Sequence, residues 1–239
     1  MPCEASWLGP DDASLWDASM ACPLCAWSDS ILRTDPQLHL DWRHCLRCGY
    51  RFKDARRRPG ARQEWEQYRL HQNHFGSRGY VRMNRNIIQN AVLPWAHEPP
   101  GKALDYGSGP GPVLGALLSR LGWQVGLYDP FFAPYFAYHA YQYQLITIVE
   151  VAEHLFQPRL VFQNLARLLH ENGLLVVSTR MYPPRWAYFD RWVYRHDPTH
   201  VGLYQYKSML WLAQSLELEL VYHDFHQLTT FRKPSLGVM

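Results

Sequence analysis

Three groups of residues in this chain have the types and spacing to do chemistry. The first is a thiol set. Cys22-Pro-Leu-Cys25 and Cys45-Leu-Arg-Cys48 are two CxxC pairs separated by 19 residues. Each pair puts two sulfurs on one tight turn, and the two turns together complete a tetrahedral site for zinc. Gly49 suits the turn that closes the second pair. Four protein ligands leave no open position, so this ion would be structural. A redox dithiol would need only one pair. Cys3 stands outside the pattern and reads as a free thiol.

The second group runs from Lys102 to Pro112, Lys-Ala-Leu-Asp-Tyr-Gly-Ser-Gly-Pro-Gly-Pro. A short apolar strand ends in an acid and enters a glycine-rich turn, and a helix follows. Glycines let the backbone approach a ligand, and the helix start offers unpaired N–H groups. A dinucleotide fingerprint usually has glycine where Asp105 stands. A carboxylate there repels a pyrophosphate and suits the cationic amino-acid end of S-adenosylmethionine. It therefore argues against an NAD-dependent dehydrogenase. The next strand ends at Asp129, 24 positions on, where an acid accepts ribose hydroxyls. Asp105, Gly107, Gly109, Gly111 and Asp129 thus form one cofactor set. A further strand over 145–149 ends in Glu150-Val-Ala-Glu153-His154. Glu150 is expected near the methionine or ribose part of the cofactor. Glu153 reads as ordering its loop more readily than as reaching the pocket, and His154 fits either role equally.

The third group is His196-Asp197-Pro-Thr-His200, within a segment rich in aromatic residues from Tyr182 to Tyr194. Those rings could line an apolar or planar substrate pocket, though core or lid packing accounts for most of them. Asp before Pro is a turn former, so Asp197 has a plain structural reading as well. No ligand spacing joins His154, His196 and His200 into a second metal site.

The elements that must position these groups follow from periodicity. Strands are predicted at 102–106, 124–128, 145–149, 174–179 and 218–223, and helices at 112–121, 158–170 and 207–216. The alternation predicts an α/β fold with a parallel, doubly wound, Rossmann-like sheet. Asn172-Gly173 signals a turn before the fourth of these strands. Residues 64–95 read as helical, broken near Gly76 and Gly79. Residues 1–54 are an N-terminal segment with the zinc ribbon, including a turn at Gly9–Asp12. Residues 55–100 are a basic linker with a helical lid, and 101–239 the main domain.

Composition sets the bounds. At 239 residues, 47% hydrophobic and 19% charged, the chain is globular and not disordered. No apolar run approaches the ~20 residues of a membrane span. The N-terminus lacks the features of a signal peptide, so the expected location is cytoplasmic and the cysteines are expected as metal ligands, not disulfides. Nine Lys and Arg against three acids between residues 42 and 69 would suit RNA phosphates. A solvated linker explains the same charges.

These motifs resemble the class I S-adenosylmethionine-dependent methyltransferases. The narrower likeness is to the ubiquinone-biosynthesis-type methylase group, in a bacterial subfamily with an N-terminal zinc ribbon. The likeness rests on the two CxxC pairs, Tyr68-Arg-Leu-His71-Gln72-Asn73, Gly79-Tyr80-Val81 and the glycine turn. Tyr128-Asp-Pro-Phe-Phe132, the Glu150–His154 motif and Asp197-Pro-Thr-His-Val201 carry it further. It implies methyl transfer to an O, N or C acceptor. A small aromatic, quinol-like or sugar-like acceptor stands ahead of RNA. A non-catalytic cofactor-binding scaffold is a rival of another class. The 192–200 segment falls where the family carries substrate-facing loops, so His200, His196 and His154 are candidate bases, with Asp197 orienting one of them. His71 and Asn73 could close over the cofactor or be surface polarity. The chain departs from the family between Asp129 and the 145–149 strand. Only 15 residues, Pro130 to Gln144, fill that gap, too few for a third strand with its helices. Its adenine-contacting acid should be missing with it. Phe131, Phe132 or the Glu150–His154 loop is expected to cover adenine instead.

Overall fold

Alternation along the strands decides the two faces of the main sheet. Ala103, Leu145, Leu174 and Val176 point one way, into a cluster with Ile87, Val92, Leu114 and Leu118. Leu104, Ile146, Ile148, Leu175 and Val177 point the other way, onto Val161, Phe162, Leu165 and Leu212. Apolar residues on both faces force helices onto both faces. The computed structural model describes residues 21–54, 58–70, 73–97 and 99–235. Cys3, the Gly9–Asp12 turn, Arg56, Arg57, His71 and Gln72 lie outside the described residues.

The strands are β1 (Ser30–Thr34), β2 (Asp41–Cys45), β3 (Arg51–Lys53), β4 (Lys102–Tyr106), β5 (Gln124–Tyr128), β6 (Tyr143–Val149), β7 (Leu169–Ser178), β8 (Gly202–Leu203), β9 (Glu219–His223) and β10 (Leu228–Arg232). The helices are α1 (Ala61–Tyr68), α2 (Arg78–Ile87), α3 (Val113–Arg120), α4 (Pro158–Leu168), α5 (Trp186–Phe189) and α6 (Tyr206–Ser215). Among the described residues the larger sheet has the order β5-β4-β6-β7-β10-β9. The Rossmann-like α/β fold expected from the sequence is present.

Three details differ from expectation. The sheet is mixed, because β10 runs antiparallel to both β7 and β9. The Leu228-Thr-Thr-Phe-Arg232 run that forms it was not among the predicted strands. Asn172-Gly173 does not precede a strand but lies within β7, where Asn172 adopts φ +60° and the pairing with β6 shifts register. Gly79 is the second residue of α2, not a break, and α2 continues into a π-turn over Ile88–Val92. The expected loss of the third strand is seen. Between β5 and β6 the chain makes only a single bridge, Asp129 to Ala133, and a 3-10 turn over Phe136–Ala140.

The cysteine-bearing segment forms a second sheet, β1-β2-β3-β8. Its last strand comes from far along the chain: Arg51 pairs with Leu203, and Phe52 with Gly202. This sheet therefore crosses the boundary drawn at residue 100. Two members of the basic run act as fasteners here. The Arg51 guanidinium is buried 3.7 Å above the Trp186 ring and 4.1 Å above Tyr182, and donates to Pro184 O at 3.2 Å. The buried Lys53 ammonium donates to Asp197 O at 3.1 Å and Pro198 O at 3.4 Å. Among the described residues no helix is long and apolar enough to cross a membrane.

Candidate active site and cysteine cluster

Parallel strands point their carboxyl ends toward one edge of a sheet, and a crevice opens there. In this chain β4, β5 and β6 end at the glycine turn, at Asp129 and at Glu150. A cavity of about 630 Å³ lies above them. Gly107, Gly109, Asp129 and Glu150 line it from the sheet, Tyr80 and Met83 from α2, and Tyr194, His196, Asp197 and His200 from the segment before β8.

Local chemistry shapes the turn. Gly107 takes φ +81°, and a Cβ there would sit 2.3 Å from Val151 Cγ2. Its N–H and that of Ser108 donate to Tyr128 O, which ties β4 to β5. Asp129 holds the next stretch. It accepts from Gly109 N at 2.9 Å, Phe131 N at 2.9 Å and Phe132 N at 3.1 Å. Burial pushes its carboxyl above the usual range, and those three N–H groups oppose the rise.

Two expected cofactor residues sit behind the wall. Asp105 is under the turn, accepting from Thr147 Oγ1 at 3.0 Å. Burial lifts it to about 6, against the pull of the Thr147 hydroxyl and the Gly115 N–H. Gly111 faces the lid: a Cβ there would lie 1.7 Å from Asn73 O. Its lack of a side chain lets the residues before α2 lie on the turn, and Asn73 reaches the cavity. Phe132 lines the cavity, while Phe131 packs edge-on against Tyr68.

Glu150 has φ +53°, a left-handed conformation that a non-glycine residue adopts at a cost of about 1 kcal/mol or more. Its N–H donates to Ser178 O at 2.8 Å. Its carboxylate accepts from Gln227 Nε2 at 3.0 Å and Tyr194 Oη at 3.2 Å. Tyr194 also donates to Glu153 Oε1. Glu153 is fully buried, and burial together with the Glu150 charge raises it to about 8. Glu153, expected mainly to order its loop, is part of the cavity wall.

The structure brings His154 and His200 together, with ring centroids 4.7 Å apart. The connection is a backbone bond from Val201 N to Glu153 O at 2.9 Å. His154 Nδ1 faces Thr199 O at 3.1 Å and His200 Nδ1 faces Tyr194 O at 2.6 Å. A carbonyl can only accept, so both Nδ1 atoms carry the proton in the neutral ring and each Nε2 carries a lone pair. His200 Nε2 is 3.9 Å from Asp197 Oδ2. Asp197 accepts from Thr199 N at 2.8 Å and Thr199 Oγ1 at 2.5 Å. Burial raises Asp197, but Thr199 and His200 outweigh that and hold it below its usual range. His196 stays on the exposed outer rim. Tyr194, Glu153 and Asn73 are the site residues that sequence reasoning undervalued. Tyr194 stands two positions before His196 and ends the aromatic run, most of which was read as core or lid packing.

The donor set tests which cofactor fits. Among the described residues lining the cavity there is no Lys or Arg, while Asp129, Glu150, Glu153 and Asp197 supply carboxyl groups. Such a wall rejects a pyrophosphate and accepts hydroxyl, ammonium and sulfonium groups. Asp129 and Glu150 fit S-adenosylmethionine.

Away from the cavity, the four cysteines are buried with their sulfurs within 4.8 Å of one another. Cys22 and Cys48 sulfurs are 3.6 Å apart, and those of Cys25 and Cys45 are 3.4 Å. Thiolates on a tetrahedral zinc with 2.3 Å bonds lie about 3.8 Å apart. The donor set fits that ion, and Tyr182 Oη seals the second knuckle by donating to Gly49 O.

A glycine turn on the first parallel strand, an acid on the second and a carboxylate-lined crevice define a nucleotide-cofactor enzyme of the α/β class. Residues 75–223, more than half of the chain, match the methyltransferase-domain family. The chain belongs to that family, and it is an S-adenosylmethionine-dependent methyltransferase. Among solved structures it is similar to phosphoethanolamine N-methyltransferase 2 of Haemonchus contortus in complex with S-adenosylmethionine, at 13% identity and TM-score 0.48, covering 68% of this chain and 55% of that one. It is also similar to 1,6-didemethyltoxoflavin-N1-methyltransferase of Burkholderia thailandensis, at 13% identity and TM-score 0.45, covering 80% and 99%. An O-methyltransferase family protein of the same organism is similar at 12% identity and TM-score 0.46, covering 66% and 58%. No curated protein matches the chain.

Proposed function

We propose that this methyltransferase acts on a small molecule held between the glycine turn and the Tyr194–His200 segment, with a zinc ribbon as a fixed support. One observation carries the reading. The cavity is rimmed by carboxylates at the strand ends and by a histidine pair opposite, with no Lys or Arg among its described lining residues. Its volume of about 630 Å³ is of the size that takes a nucleoside cofactor with a modest acceptor. S-Adenosylmethionine supplies, when bound, a methyl group on a sulfonium sulfur. Asp129 and Glu150 would hold that cofactor, Asp129 by accepting hydroxyl groups. Asp105 would brace the turn from below, and Gly111 would seat the lid. His154, His200 and Asp197 face the acceptor end, and the two Nε2 lone pairs are its basic atoms. Much of the rate would come from alignment of the two substrates.

The zinc reading rests on Cys22, Cys25, Cys45 and Cys48 as a closed donor set. The likeness of the motifs supports reading the chain with the ubiquinone-biosynthesis-type methylases. RNA as acceptor is less favoured, because Arg51 and Lys53 of the basic run are spent on internal contacts. The test is calorimetric titration of S-adenosylmethionine, S-adenosylhomocysteine and NAD into the purified protein. Micromolar binding of the two adenosyl ligands and none of NAD is expected. Failure of both adenosyl ligands to bind would overturn the reading.

A further inference from the structure

A second cavity, of about 510 Å³, lies between α1 and the Pro198-Thr199 turn. Gln63, Glu66 and Gln67 line it from the helix, and Arg58 lines it from the chain before α1. It shares Gln67 and Pro198 with the cofactor cavity, so the two spaces adjoin. We propose that the second cavity holds an anionic group of the methyl acceptor, a carboxylate or a phosphate, on the Arg58 guanidinium. The proposal deepens the small-molecule methyltransferase reading and rests on it.

Three observations point to an anion. The first is the contrast in charge. Asp129, Glu150, Glu153 and Asp197 line the cofactor cavity, with no Lys or Arg among the described residues. The second cavity has one cation, Arg58, and one acid, Glu66, among its described lining residues. Glu66 already pairs with Arg62 at 3.0 Å. Gln63 lies in the first turn of α1, where the helix dipole favours negative charge. A carboxylate or phosphate is therefore repelled from the first space and attracted to the second.

The second is the setting of Arg58. It is half-buried, and its Nε is buried without a hydrogen-bond partner among the described residues. Burial pushes its pKa down, and Tyr50 and Asp54 oppose that fall. A guanidinium carries its N–H donors in a planar fork and stays charged at neutral pH. This one lies over the Phe156 ring, 5.1 Å from the centroid. A ring against the flat face steadies the group and leaves its donor edge for two oxygens of an anion.

The third is the partition between the cavities. Gln67 Nε2 donates to Asp197 Oδ2 at 3.5 Å, the outer limit of a hydrogen bond. Little is lost when a ligand displaces that amide. The Asp197–Pro198 side is firmer, because Lys53 donates to both carbonyls. An acceptor that spans the two spaces is thereby oriented. Its anion sits on Arg58, and its uncharged end lies toward Tyr194 and His200, where the methyl group is delivered. Arg58 selects and aligns the acceptor and takes no part in the transfer itself.

The experiment uses the full chain with S-adenosylhomocysteine bound. Two matched pairs are titrated by calorimetry: catechol against caffeate, and hydroquinone against hydroquinone monophosphate. At least one anion should bind about tenfold or more tightly than its neutral partner. Which of the two does so tells a carboxylate acceptor from a phosphate one. Arg58→Gln should abolish that advantage, with S-adenosylhomocysteine affinity and circular dichroism as in the wild type. Gln63→Glu tests the same space by adding a negative charge. Its carboxylate can accept the Gly60 N–H that Gln63 Oε1 accepts at 3.0 Å, so the helix start is kept. It should weaken the anion by about tenfold or more, and it decides alone should Arg58→Gln fail to fold. No advantage for either anion in the wild type, or one that survives the variants, would overturn the proposal. Binding of S-adenosylhomocysteine without an anion advantage refutes the second site alone. Absence of cofactor binding in the wild type refutes the methyltransferase reading.

Discussion

The two walls of the cavity are built in opposite ways. The cofactor wall is local. Its glycine turn, Asp105, Asp129 and Glu150 stand at the ends of three adjacent parallel strands, and backbone N–H groups tie the turn and Asp129 together. The acceptor wall is borrowed. Tyr194, Asp197 and His200 belong to a segment whose only regular structure is a 3-10 turn over Val193–His196 and the two-residue strand β8. The cysteine-bearing module holds it in place. Lys53 grips the Asp197 and Pro198 carbonyls, and Asp35 pairs with Arg195 at 2.7 Å in full burial. Arg33 reaches Asp190 at 2.6 Å. The lesson is one of division of labour. A sheet can place a cofactor by itself, but an acceptor loop of this kind needs a second body to hold it.

If that is right, damage to the module should separate the walls. The largest effect is expected from Cys45→Ser. Loss of the ion would remove a support of the order of 10 kcal/mol from the module. Zinc content should fall, and methyl transfer should drop by about 100-fold or more, while S-adenosylmethionine affinity stays within about threefold. Full zinc retention would refute the four-thiolate site. Next comes Arg195→Met, which strands Asp35 in the interior. It should cost about 3–5 kcal/mol in urea unfolding and lower turnover without changing cofactor affinity. An unchanged midpoint would show that the pair does not hold the loop.

The converse variant is Asp129→Ala. It should weaken S-adenosylmethionine by about 2–3 kcal/mol, roughly 30- to 150-fold, since charge-assisted bonds are lost. The zinc content should not move. Unaltered affinity would take Asp129 out of the cofactor site.

A smaller effect is a pH dependence. Asp105 is raised to about 6 by burial, above its value in the unfolded chain. Its folded-state proton is retained while the unfolded chain releases its own. The stability tied to it is therefore whole below about pH 4 and is lost as pH rises toward 6, by at most about 3 kcal/mol. Asp105→Asn should flatten that part of the ligand-free stability curve. An identical curve would mean that Asp105 does not titrate there. The smallest effect is expected for Arg62→Ala. It breaks an exposed helical pair with Glu66, and stability should move by less than about 0.5 kcal/mol.

The same contrast explains what could be read from the sequence. The cofactor wall was legible because its signals are short: a strand, a glycine turn, and an acid 24 positions on. The missing third strand was legible by counting residues. Even so, position in a motif did not give facing, and Asp105 and Gly111 turned out to lie behind the wall. The acceptor wall was hardly legible. Asp35 and Arg195 are 160 positions apart, and nothing local links them. The basic run looked like a surface feature, yet Arg51 and Lys53 are buried, because charge in sequence carries no information about burial. The His154–His200 pairing depended on one backbone bond between Glu153 and Val201. Strand β8 is too short to leave a periodicity, and β10 was hidden because parallel alternation was expected to continue.

Strand β8 also has a consequence for how the chain is made. The knuckles and β1 to β3 leave the ribosome before the strand that completes their sheet, which follows about 150 residues later. Until then the β3 edge is unpaired, and Tyr50 and Phe52 lack the Tyr204 side of their packing. A nascent module with an open edge is exposed to wrong pairing. Early capture of the ion by the four thiols would hold the knuckles folded through that interval. A piece synthesised early is thus among the last to be finished.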